Sequence, residues 1–217
     1  MKRMKIVGLF FLIMCFDFRG FAQDPSRYTT LLQQLQAAET TDKASKEWLK
    51  LAKSDPNAKQ YLAAHLPFLI EKVEVHYGMV DSQSWKNSVQ LAGELQLVEV
   101  APVLAKWLSV NTSSSLMTGL SQGVRLEDNL PGKALAQIGD PSIPALKGVL
   151  NHGTQLERLR AAYVLKMIAS PQAKSALAEH LEREPDQQLK DFIQRIISKD
   201  TWDKNFRWCY RNSPLIA

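Results

Sequence analysis

Cysteine is almost absent from this chain. There are two, Cys15 and Cys209; Cys15 lies in the N-terminal segment, and if that segment is removed no internal disulfide framework is possible. Cys209 then either packs as a small hydrophobe or pairs between chains. Long apolar runs are missing too. The longest, Ile6 to Phe16, has 11 residues, short of the roughly 20 that a membrane-spanning helix requires. No stretch alternates apolar and polar residues far enough to specify a strand. There is no Gly-rich phosphate loop, no Gly-x-Ser-x-Gly elbow and no His-Glu-x-x-His zinc motif. The four histidines, His65, His76, His152 and His180, read as core or surface residues. His65 and His76 share a helical face only if one helix runs unbroken past Pro67. These absences leave no catalytic residue, cofactor or metal to name.

Excess charge is nearly lacking as well. The sequence has a formal net charge of +5 and a pI of about 9.2, but four of its 27 basic and one of its 22 acidic residues lie within residues 1–22. The remainder carries 23 basic against 21 acidic residues, a net charge of +2. That balance gives no electrostatic footprint for nucleic acid. Residues 1–22 themselves open on Lys2, Arg3 and Lys5, continue with the apolar run and end on Gly20 and Ala22. This is the layout of a secretory signal peptide cleaved after Ala22, which places the mature chain outside the cell or in the periplasm.

What is present is helical punctuation. In "ALAQIGDPSIPALKGVL", residues 134–150, Leu135 and Ile138 make one apolar stripe, and Ile143, Leu146, Val149 and Leu150 make another. Between them, Gly139 suits a left-handed helix end, Asp140 offers a cap to the next helix and Pro141 fits its first turn. The unit recurs about 30 residues later at Ser170-Pro171, with Leu165 and Ile168, then Leu177 and Leu181, in the matching places. A weaker copy surrounds Pro102 with Leu95, Leu104 and Leu108, and Asp55-Pro56 makes a further break. A last helix carries Leu189, Phe192, Ile193, Ile196 and Ile197 on one face. The expectation is an all-α chain of ten or eleven helices. Its antiparallel pairs cannot bury their apolar faces alone and so stack in series.

"ALAQIGDPSIPAL" resembles the short HEAT-like repeat known from phycobilisome lyases. Residues 131–181 resemble it best, 85–108 more weakly, and 24–75 only in the spacing of their helix pairs. The resemblance implies an α-α superhelix, a solenoid of antiparallel helix pairs, over residues 23–217 as one domain. It carries over scaffold residues and no catalytic group. Two segments interrupt the pattern. Residues 109–130, rich in Ser, Thr, Gly and Asn, read as an irregular edge loop, either functional or merely connecting. Residues 200–217 hold Trp202, Phe206, Trp208 and Tyr210, an aromatic cap on the stack or a docking patch. "EHLEREPD" near residue 180 reads as a solvated helix end.

The functional expectation is a non-enzymatic, exported scaffold, monomeric, that holds another protein or peptide and neither nucleic acid nor membrane. Its candidate contacts are Lys106, Lys147 and Lys174 on the second helices of the pairs, together with Trp202 and Trp208. Two alternatives stand beside it: a lyase-like enzyme or tetrapyrrole-binding protein, by fold analogy, and a self-associating structural protein of the envelope.

Overall fold

The computed structural model describes residues 25–74, 80, 82–110 and 129–198. The proposed signal peptide, His76, most of the 109–130 loop, Cys209 and the aromatic tail with Trp202 and Trp208 lie outside these residues. Among the described residues there are ten α-helices and no strand. They are α1 (Pro25–Gln36), α2 (Thr41–Ser54), α3 (Pro56–Glu71), α4 (Gln83–Glu94), α5 (Ala101–Lys106), α6 (Leu130–Ile138), α7 (Ile143–His152), α8 (Gln155–Ile168), α9 (Pro171–Leu181) and α10 (Gln187–Ser198). The all-α expectation holds.

Helix ends follow from the capping chemistry of short polar residues. The Asp55 carboxylate accepts the Asn57 N–H at 2.9 Å ahead of Pro56, and the Ser170 hydroxyl accepts the Ala173 N–H at 3.0 Å ahead of Pro171. Thr154 and Glu157 form a reciprocal capping box at the start of α8, satisfying two amides that the helix leaves unpaired. Asp140 departs from the expectation. Asp140–Ser142 winds into a single 3₁₀ turn and α7 starts only at Ile143, so the Asp140 side chain makes no cap bond. Ser142 secures the end of α6, donating its hydroxyl to the carbonyls of Leu135 (3.0 Å) and Gly139 (2.7 Å), and makes no cap bond to α7. Gly139 does take a positive φ of 78°, although its ψ of −145° is extended rather than left-handed helical. The Pro67 question is also resolved. Helix α3 passes through Pro67 and ends at Glu71.

Hydrophobic faces account for the assembly. The odd helices from the third onward pack in a row, α3 on α5, α5 on α7 and α7 on α9. The even helices form a second row, α2 on α4, α4 on α6 and α6 on α8, with α10 closing on α9 and α8. Residues expected on the apolar stripes lie between these helices: Leu135, Leu146, Leu165, Leu177, Phe192 and Ile193 are fully buried. Burial of each such side chain contributes about 1.5–3 kcal/mol, which no hairpin could realise by itself. Within the even row, α4 and α6 approach most closely at Gly93. A Cβ there would stand 2.8 Å from the Ala134 Cα, so α4 and α6 reach their observed separation only because this position is glycine.

Candidate functional site

The expected contact lysines fall on the odd row. Lys106 ends α5 and reaches back to Glu71 of α3, with Nζ to Oε1 at 2.7 Å. Lys147 of α7 reaches forward to Glu179 of α9, with Nζ to Oε2 at 2.6 Å. Lys174 is half-buried on α9. The structure therefore puts all three on successive helices of one row, yet two of them are already engaged in bridging that row. Exposed ion pairs of this kind contribute about 0.2–1 kcal/mol each, so they orient neighbouring helices more than they stabilise them.

Lys147 opens onto a shallow, partly open cleft between α7 and α9. Leu150 and Ala176 line it with apolar surface, and Lys147, Asn151, Glu179, His180 and Arg183 supply polar groups. Within it, the Glu179 carboxylate accepts from Lys147 on one oxygen and from Arg183 Nη2 on the other, at 2.7 Å for the latter. The hydrogen bond from Lys147, followed by that from Arg183, holds the Glu179 carboxyl below its ordinary range. Two cations thus converge on a single anion.

Beneath the cleft lies a buried polar network that charge patterning alone did not show. The "EHLEREPD" stretch is not simply a solvated end: Glu182 and Arg183 are exposed, but Glu184 is 1% and His180 7% exposed. Glu184 Oε1 accepts from Arg158 Nη2 (2.8 Å) and from the Asp186 N–H (2.9 Å). Its Oε2 accepts from Arg158 Nε (2.9 Å) and meets His180 Nε2 at 2.6 Å. Asp186 then caps α10 by accepting the Leu189 N–H at 2.8 Å. Burial pushes the Glu184 carboxyl up, but the Arg158 hydrogen bond, the Asp186 N–H and His180 together outweigh it and bring it below the usual range. His180 Nδ1 is buried without a hydrogen-bond partner among the described residues.

A second polar knot sits where the chain leaves α5 and where it enters α6. The Asn129 amide donates to the carbonyls of Leu108 and Val110, both at 3.1 Å, while its carbonyl oxygen accepts the Gly132 N–H at 2.8 Å. Arg160, 2% exposed, donates to the same Leu108 carbonyl at 2.5 Å. Burial lowers its guanidinium to about 10, with Glu157 opposing the shift. In the first helices, Tyr28 donates to the Asp55 carboxylate at 2.5 Å beneath a stack of Trp48, Tyr61 and His65. His65 itself is exposed, as is His152. These knots join helices and do not converge on an open space where a substrate could sit.

Among the described residues no group of three or more His, Cys, Asp or Glu side chains is placed to hold a metal ion. None of the described helices is long and apolar enough to cross a membrane. Comparison of the chain with known protein families, with curated proteins and with solved structures finds no significant match.

Proposed function

We infer that this chain is an exported, non-enzymatic scaffold, a HEAT-like solenoid of antiparallel helix pairs that holds another protein or peptide along the outer face of α3, α5, α7 and α9. The observation that carries the reading is the serial packing of these helices, each on the next, with the even helices stacked behind them. Such a row presents a continuous surface far longer than any one hairpin, which is the feature that repeat scaffolds use for recognition. Export rests on the basic start, apolar run and small-residue end of residues 1–22. The α7–α9 cleft is shallow and partly open, with room for about one water-sized group against the roughly 300–1,000 Å³ of small-molecule sites, which favours a peptide surface over a tetrapyrrole pocket at this place.

A photo-crosslinking residue at the exposed Ala178 on α9, compared with one at the exposed Gln90 on α4, tests this in the native envelope. Capture of a discrete protein from position 178 and not from position 90 is the expected outcome. Stoichiometric co-purification of a small molecule, with no protein captured at either position, would overturn it.

A further inference from the structure

We propose that the cleft between α7 and α9 is a carboxylate-recognition point, where a Glu or Asp side chain of an acidic partner peptide is held by Lys147 and Arg183 in place of Glu179. This rests on the scaffold reading and adds the chemistry of its partner. The cleft brings two cations to one carboxylate. Glu179 takes a single hydrogen bond from each, whereas an ammonium carries three donors and a guanidinium five. Both cations are well exposed, Lys147 by 42% and Arg183 by 60% of their side chains. Asn151, on the same cleft wall, adds an amide able to donate to a carboxylate oxygen.

The floor has a different character. Leu150 is 1% and Ala176 5% exposed, so these apolar side chains close the cleft from below and recognition falls to its cationic rim. His180 closes the inner end. One ring nitrogen is committed to Glu184 and the other is buried away from solvent, so His180 braces the cleft and leaves ligand contact to the exposed cations. Glu179 then acts as an internal competitor for the same cations. It occupies them in the free protein and gives way when a second carboxylate arrives.

The competitor role makes the test specific. A hexapeptide of glutamate, blocked at both ends, is titrated into the full chain while backbone amide shifts are followed by NMR, with a hexapeptide of lysine and inorganic phosphate as parallel arms. The glutamate peptide is expected to shift amides of α7 and α9 saturably, and added salt should weaken the effect. Lys147→Met and Arg183→Met should each weaken binding about fivefold, in line with loss of one exposed charge pair. Glu179→Gln should tighten it by a similar factor, a change that a purely structural glutamate would not produce. Unaltered affinity in all three variants, shifts confined to other helices, or phosphate binding without peptide binding would each overturn the proposal. Melting temperatures check that each variant is folded, and Lys147→Gln replaces the methionine variant should that one fail to fold. If position 178 still captures a protein equally well in Lys147→Met and Arg183→Met, the carboxylate site falls and the scaffold stands.

Discussion

At the scale of single residues, the groups that hold this molecule together are those whose charge looks superficial in the sequence. Arg158 and His180 stand 26 and 4 positions from Glu184, and each of the three has the appearance of an ordinary solvated residue. They meet only because α8 and α9 form a hairpin, so their burial could not be read before that hairpin existed. Glu184→Gln keeps the size of the side chain but leaves the part-buried Arg158 without its counter-charge. It should cost about 3 kcal/mol, near the low end for a broken buried pair because Arg158 retains some exposure. Urea denaturation of the variant checks the value. Arg160 and Asn129 were missed for the same reason: their acceptors are backbone carbonyls more than 15 residues away, and sequence patterns carry no mark for such a bond.

Tyr28 gives a prediction in pH. Its hydrogen bond to Asp55, then burial, raises the phenol from 10.0 to about 12. The folded state therefore holds this proton more tightly than the unfolded state does. The associated stability is complete below pH 10 and is lost as pH rises through about 12. The opposite sign applies to Asp55, whose carboxyl is lowered chiefly by the same Tyr28 bond against its burial: its contribution is present above the ordinary aspartate range and is lost in acid. Tyr28→Phe should flatten the alkaline decline between pH 10 and 12 as followed by urea midpoints. An unchanged slope would show that the phenol is not the group responsible.

At the scale of elements, the breaks were legible and their detailed chemistry was not. Asp55-Pro56 and Ser170-Pro171 end one helix and cap the next, as their residue types dictate. At Gly-Asp-Pro the break occurs where expected, but the 3₁₀ turn displaces the start of α7 and takes Asp140 out of capping position. The corresponding place one repeat later is instructive. Ala169 stands where Gly139 stood and adopts φ 58°, ψ 16°, the left-handed conformation that ends α8. A side chain at Cβ strains this conformation by about 1 kcal/mol. Ala169→Gly should therefore raise stability by up to about 1 kcal/mol, less the extra freedom glycine gains when unfolded, and a thermal melt detects this as a rise of a few degrees or less. The cleft was only half legible. Lys147 could be named because it sits on a second helix and Asn151 follows it one turn later on the same helix, whereas Glu179 and Arg183 join them only after α7 packs on α9.

At the scale of the whole molecule, the account depends on helix pairs that bury their apolar faces against the next pair in series, so that stability is distributed between neighbours. Residues 131–181 carry the clearest sequence repeat and all of the cleft's lining except Arg183. Native-state hydrogen exchange on Leu177→Ala tests this arrangement most directly, since Leu177 is fully buried on α9 and its loss should cost about 2–5 kcal/mol. Serial packing predicts faster exchange in α7 to α10, with the amides of α2 to α4 still protected to nearly the wild-type degree. An equal loss of protection across all ten described helices would show one undivided core and contradict the account.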